Sequence, residues 1–238
     1  MERLQKFIAQ TGYCSRRKAE ELIINKKVYV NNVLTTELGT KVKPGDDVVI
    51  EGIKLEKEDK EYYIFNKPRS IISSTKDDKN RKTVIDFFNT KKRLFLVGRL
   101  DYDTTGLILV TNDGEFANML MHPKNEIEKV YVAKINGIMK KEEIVKFKRG
   151  MFIDNVRCKP DKVKVKKVDK KSNSSIVEIT LHEGKNHEIK KMFENIGYEV
   201  LKLKRERFAF LDLGTLKSGE YRKLQIKEIK ILHSLIKK

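Results

Sequence analysis

The stretch Val97-Gly98-Arg99-Leu100-Asp101-Tyr102-Asp103-Thr104-Thr105-Gly106-Leu107-Ile108-Leu109-Val110 sets two carboxylates and an arginine between two apolar runs. Buried strands hold the loop that joins them rigidly, which suits a reactive side chain. A carboxylate delivered in this way can serve as a nucleophile, or as an acid or base. A turn that uses Asp and Gly for its dihedral angles accounts for the same residues. The pattern does not choose between Asp101 and Asp103.

A second cluster lies near the start of the chain, where Ser15-Arg16-Arg17-Lys18 opens a helical pattern and Lys26-Lys27 follows it. A helix N-terminus has free N–H groups and a partial positive charge, so phosphate binds there. Three basic side chains in that first turn oppose the helix dipole. They suit a polyanion better than they suit stability. Further on, Tyr131 is an aromatic side chain on a strand, where it would by itself read as a core residue. Lys190 falls in the first turn of an amphipathic helix, on its polar face with His187, Lys191 and Glu194.

The elements that must position these groups are legible from periodicity. Leu4, Phe7 and Ile8 share a helical face, and Gly12 stops that helix. Ser15 caps a second helix whose apolar face is Ala19, Leu22 and Ile23. Strands are predicted at 28–30, 33–35 and 48–50, with turns at Asn31-Asn32 and Pro44-Gly45. The run 56–61 is charged and reads as a linker. Beyond it, strands are predicted at 62–65, broken by Asn66-Lys67-Pro68, and then at 94–98, 107–111, 130–135, 163–168, 176–181 and from Leu201. Helices are predicted from Asn112-Asp113-Gly114, with Phe116, Ala117, Leu120 and Met121 inward, and at 142–149. A further helix carries Ile189, Met192, Phe193 and Ile196, and the last carries Ile229, Leu232 and Ile236. Strands and helices mix without a regular βαβ repeat, so the fold class is α+β with a mainly antiparallel mixed sheet flanked by helices. The expected domains are 1–60 and 61–238.

The chain has 238 residues, 52 Lys and Arg against 34 Asp and Glu, and a net charge of +18. That excess points to a polyanionic partner. Residues 1–60 hold 12 basic and 10 acidic side chains, so most of the excess lies in the second domain. No apolar run approaches the ~20 residues of a bilayer span, and the first residues lack the apolar region of a signal peptide. Cys14 and Cys158 have no metal-ligand spacing and are expected as free thiols in a reducing cytoplasm.

Residues Arg3-Leu4-Gln5-Lys6, Gly12 to Leu22 and Lys27-Val28-Tyr29-Val30-Asn31 resemble the S4 RNA-binding module over 1 to about 52. In that module two helices and the adjacent loop bind structured RNA. The resemblance marks Arg3, Ser15, Arg16, Arg17, Lys18 and Lys27 as RNA-binding. Residues 97–114 resemble the catalytic motif of the pseudouridine synthase family that contains the ribosomal small-subunit synthase A and large-subunit synthase B. The Asp of its Gly-Arg-Leu-Asp is the nucleophile, which makes Asp101 the catalytic candidate. Asn66-Lys67-Pro68-Arg69 resembles the first family motif, which continues with Gly where this chain has Ser70, implying a different local turn. Glu128-Lys129-Val130-Tyr131 matches the motif whose tyrosine packs on the target base. Glu183 to Phe193 matches the third, which makes Lys190 the partner of the aspartate. Lys67 and Arg99 are expected at the RNA, and Arg99 could also fill the space of a flipped base. Residues 98–114 and 202–210 are nearest to large-subunit enzymes of the family.

The resemblance implies isomerisation of a uridine in ribosomal RNA, 23S above all, by a cytoplasmic monomer that needs no metal or cofactor. A non-catalytic RNA-binding assembly factor would need the basic surface but not Asp101. A glycoside or nucleoside hydrolase would need Asp103 as a second carboxylate.

Overall fold

The computed structural model describes residues 1–236; the basic tail residues Lys237 and Lys238 lie outside them. The chain divides into two compact units. One is Met1–Glu61 with Thr90–Leu94 and Asn112–Gly114, and the other is the remainder.

In the first unit β1 (Glu2–Arg3) leads into α1 (Leu4–Gln10), and α2 (Arg16–Ile24) follows. Gly12 takes φ +77°, and the Ser15 hydroxyl accepts a hydrogen bond from the Lys18 N–H at 3.1 Å, so both predicted helix boundaries form. The strands are β2 (Val28–Val30), β3 (Val33–Thr35), β4 (Lys41–Val42), β5 (Val48–Ile50) and β6 (Ile53–Lys54). Four of them form a sheet in the order β3-β2-β5-β6, and β1 pairs with β4. Asn31 and Asn32 both take positive φ, the conformation of a two-residue hairpin turn. Leu4, Ile8, Ala19, Leu22, Ile23, Val28, Val48 and Ile50 close the core. The charged run at 56–61 is not a free linker. Lys57 pairs with Glu2, and the Asp59 carbonyl accepts from Lys92 and from Asn112, each at 2.9 Å. The Asn112 side-chain oxygen accepts from the Glu61 N–H at 2.7 Å. Partners far along the chain hold this run, which a composition shift does not reveal.

The second unit is built on β7 (Tyr62–Lys67), β8 (Phe95–Val97), β9 (Thr105–Thr111), α3 (Gly114–Met121) and β10 (Lys129–Asn136). It continues through α4 (Lys141–Arg149), β11 (Met151–Ile153), β12 (Val156–Cys158), β13 (Lys162–Asp169) and β14 (Ser174–Leu181). It ends with α5 (Glu188–Asn195), β15 (Val200–Phe208), β16 (Leu211–Asp212), β17 (Tyr221–Lys223) and α6 (Ile226–Ser234). The large sheet runs β13-β14-β10-β15-β9-β7-β17, with β16 on β15 and β8 on β9. Its pairs are antiparallel except β9 with β15, so the α+β, mainly antiparallel expectation holds.

Two local expectations change. Strand β7 continues through Asn66 and Lys67 rather than breaking there, because both pair with β9. Met121 is 43% exposed, not inward; its sulfur accepts from the Gly98 N–H at the surface. In the β9–β15 pair Gly106 faces Arg205, and a Cβ on Gly106 would lie 2.2 Å from the Arg205 carbonyl oxygen. Only glycine, here at φ +105°, permits that approach.

Candidate active site

Asp101 sits in the loop between β8 and β9, at the middle of the large sheet. The loop is fixed from beneath. Lys67, at the end of β7, is fully buried, and its Nζ donates to the carbonyls of Thr104 at 2.9 Å and of Pro68 and Asp101 at 3.1 Å. Burial pushes this ammonium down to about 8, against the pull of Asp103 and Asp101. The Ser73 hydroxyl donates to the Leu100 carbonyl at 2.7 Å and accepts from the Leu100 N–H at 3.1 Å. The Ser70 N–H donates to the Tyr102 carbonyl at 2.8 Å.

These contacts correct one expectation. Lys67 has no surface for RNA; it is the post on which the loop rests. At the turn that follows, Ser70 stands in the place of a glycine. It adopts φ +63°, the left-handed conformation that glycine takes without strain.

On the exposed side of the loop, Lys190 from α5 places its Nζ 3.0 Å from Asp101 Oδ2 and 2.6 Å from Asp103 Oδ1. One cation thus spans both carboxylates. Burial alone would lower the pKa of Lys190, but the two carboxylates raise it above the ordinary lysine value. Burial raises the Asp103 pKa, yet the Lys190 hydrogen bond and charge carry it below the usual carboxylate value. A group held that way makes a poor general acid, which counts against the hydrolase alternative. His187 caps α5 in a left-handed conformation and sets Nδ1 3.1 Å from Asp101 Oδ2. Asp101 therefore meets two side chains from the start of one helix.

Asp101 opens onto a depression of about 440 Å³, its mouth included, lined by Arg99, Tyr131, Leu181, Lys185, Ile189 and Leu203 among others. Tyr131, on β10, is 8% exposed and stands opposite Arg205 of β15 beside a register shift. The Arg205 Nη1 donates to the Tyr131 hydroxyl at 3.5 Å, and its guanidinium lies 6.0 Å from the ring centroid. Arg205 is itself buried, anchored by Nε to the Leu107 carbonyl at 2.6 Å. The site is a slot of mixed polarity, with one aromatic wall, Leu181, Leu203 and Ile189 beside the ion-paired carboxylate, and an exposed arginine at its edge.

Asp101, Tyr131, Lys190 and Arg99 are therefore brought together as the sequence suggested. Lys67 joins them as a support. His187 and Arg205 were missed. His187 lay inside the third motif without a role, and Arg205 follows a lysine-rich alternating pattern that gives no sign of burial. His122, His182 and His233 do not line the depression. The other predicted RNA-binding residues, Arg3, Ser15, Arg16, Arg17, Lys18 and Lys27, belong to the first unit. There Arg16 and Arg17 are exposed, while Lys18 pairs with Glu21 and Lys27 with Glu51, each at 2.7 Å.

Residues 61–195 match the RNA pseudouridylate synthase family and residues 2–48 the S4 domain. With the sheet and the paired aspartate already in view, the class is defined: the chain belongs to the RNA pseudouridylate synthase family, and it carries an S4 domain. It is 52% identical over 236 residues to the Bacillus subtilis protein named ribosomal large subunit pseudouridine synthase B, covering 99% of this chain and 97% of that one. It is 37% identical to the Escherichia coli dual-specificity RNA pseudouridine synthase RluF, covering 98% of this chain and 79% of that one. A crystal structure of a pseudouridylate synthase superposes with a TM-score of 0.68 at 28% identity, covering 98% of this chain and 100% of the other.

Proposed function

We propose that this enzyme converts one uridine of large-subunit (23S) ribosomal RNA to pseudouridine, with Asp101 as nucleophile and the S4 unit as an RNA-binding arm. The observation that supports this best is the Asp101 carboxylate held 3.0 Å from Lys190 at a depression with Tyr131 in its wall. The substrate assignment draws on the large-subunit relative and on the +18 charge of the chain.

The target base leaves its stack at a cost of a few kcal/mol, offset by basic contacts to phosphates and by the Tyr131 face. The Asp101 carboxylate attacks C1′, and the N1–C1′ bond breaks with its electron pair going to the uracil. The base turns to present C5. C5 bonds to C1′ and displaces the carboxylate, the C5 proton passes to water, and N1 takes up a proton. Atoms and electrons balance without a redox partner, so no cofactor is called for. Lys190, 3.0 Å from Asp101 Oδ2, gives the attacking carboxylate a cationic partner and fixes its orientation. The enzyme works in the cytoplasm as a monomer.

Asp101→Asn tests the assignment. Release of tritium from 5-labelled uridine in a 23S transcript is expected to vanish, with transcript binding nearly intact. Retained turnover, with Asp103→Asn inactive instead, would overturn it.

A further inference from the structure

Strands β11 and β12 form a small hairpin outside the large sheet, turned by Asp154 and Asn155 with φ of +49° and +62°. Both values are positive, which suits a tight two-residue turn whose twist matches the strands. The two faces of the hairpin differ sharply. On one, Met151 and Cys158 pair across the strands, and both are buried. On the other, Phe152 stands directly opposite Arg157, and both point outward. Phe152 is 70% exposed, and Arg157 makes no ion pair among the described residues. Exposure of most of an aromatic ring forgoes the burial that stabilises a fold. The core gains nothing from it, since the opposite face already anchors the hairpin.

The hairpin is tied to the helix that carries the catalytic cation. Lys191, next to Lys190, pairs with Asp154 at the turn. Lys185, which lines the depression, donates from Nζ to the Arg157 carbonyl at 2.7 Å. Around it, residues 146–159 carry Lys146, Lys148, Arg149, Arg157 and Lys159 against a single acid, Asp154, already engaged by Lys191. An outward aromatic ring beside a guanidinium without an acidic partner, in a basic field next to the slot, fits one kind of ligand. Single-stranded nucleic acid supplies a flat base for the ring and a phosphate for the arginine.

We propose that Phe152 and Arg157 form a second nucleotide site, in which an unpaired base flanking the target uridine stacks on Phe152 while its phosphate meets Arg157. This rests on the proposal that the depression at Asp101 receives a uridine of 23S RNA. The stack would hold the strand open beside the flipped base and so favour extrusion of the target.

The chain contains no tryptophan, so Phe152→Trp reports on this site alone. Its emission is expected to be quenched on titration with an unmodified 23S transcript. Phe152→Ala and Phe152→Leu are expected to weaken transcript binding by about 5-fold or more, as stacking of ~1–3 kcal/mol requires. Phe152→Tyr should restore it. Arg157→Ala should weaken binding and flatten its salt dependence. Unquenched emission at saturating transcript, or full affinity in Phe152→Leu, would overturn the site. The same transcript, assayed for pseudouridine with the wild-type enzyme, separates the two proposals. Quenching without product would remove the substrate assignment and leave the stacking site standing; product with unchanged Phe152→Ala binding would do the reverse.

Discussion

At the scale of single residues, the site is governed by one shared cation. Lys190 lies within hydrogen-bond reach of both Asp101 and Asp103, and its charge stabilises two carboxylates that would otherwise repel each other. Its own pKa is raised, so this stabilisation is fully present below the ordinary lysine pKa and is lost as pH rises through the higher folded value. The Asp103 pKa is lowered, so its contribution is present above the ordinary carboxylate pKa and lost as pH falls through the lower folded value. Lys190→Met removes the cation that holds the Asp103 pKa below the usual carboxylate value, so that group takes up its proton at higher pH. Turnover is expected to fall by at least about 100-fold, near 2.7 kcal/mol of barrier, and the acid limb of the rate profile should move to higher pH. Lys190→Arg should recover much of the rate. A pH–rate profile of Lys190→Met that overlays the wild type would show that the pair is not coupled in catalysis.

At the scale of elements, the loop that presents Asp101 depends on the turn after β7. Ser70 holds a left-handed conformation there, exposed and at a steric cost for a residue with a Cβ. Its N–H, not its side chain, supports the loop through the Tyr102 carbonyl. Ser70→Gly keeps that bond and relieves the strain, so it is expected to stabilise the protein by about 0.5–1 kcal/mol. Urea denaturation measures the change. A destabilised variant would mean that the serine hydroxyl contributes something the backbone geometry does not reveal.

At the scale of the whole molecule, we propose that affinity and chemistry are divided between the units. Arg16, Arg17 and Lys18 form the basic first turn of α2, set by the Ser15 cap. Phosphate contacts add affinity with little sequence information. Replacing all three with Ala should weaken transcript binding and flatten its salt dependence, by a slope of up to about 0.7 for each single-strand phosphate that is no longer neutralised. The turnover number at saturating RNA should fall far less than the affinity. Single-turnover kinetics across RNA and salt concentrations check this. Normal binding with slow turnover would place the module in the chemistry and end the division.

Much of this was legible in the sequence because it is local. Helices α1, α2 and α5 follow from apolar spacing, the Ser15 cap and the glycines at 12 and 197, all settled within a few residues of chain. The net charge of +18 and the motifs around Asp101, Tyr131 and Lys190 need no coordinates either. What the tertiary structure alone decided are meetings between distant residues. Asp103 and Lys190 are 87 positions apart, and no periodicity dictates that one ammonium spans two carboxylates. Lys67 and Arg205 read as surface charge in sequence. Their burial arises because β7 and β15 flank β9 and the sheet closes over them. The charged run at 56–61 became structure through Lys92 and Asn112 for the same reason. Caps and periods act through neighbours along the chain, whereas burial and ion pairing depend on what folding brings from elsewhere.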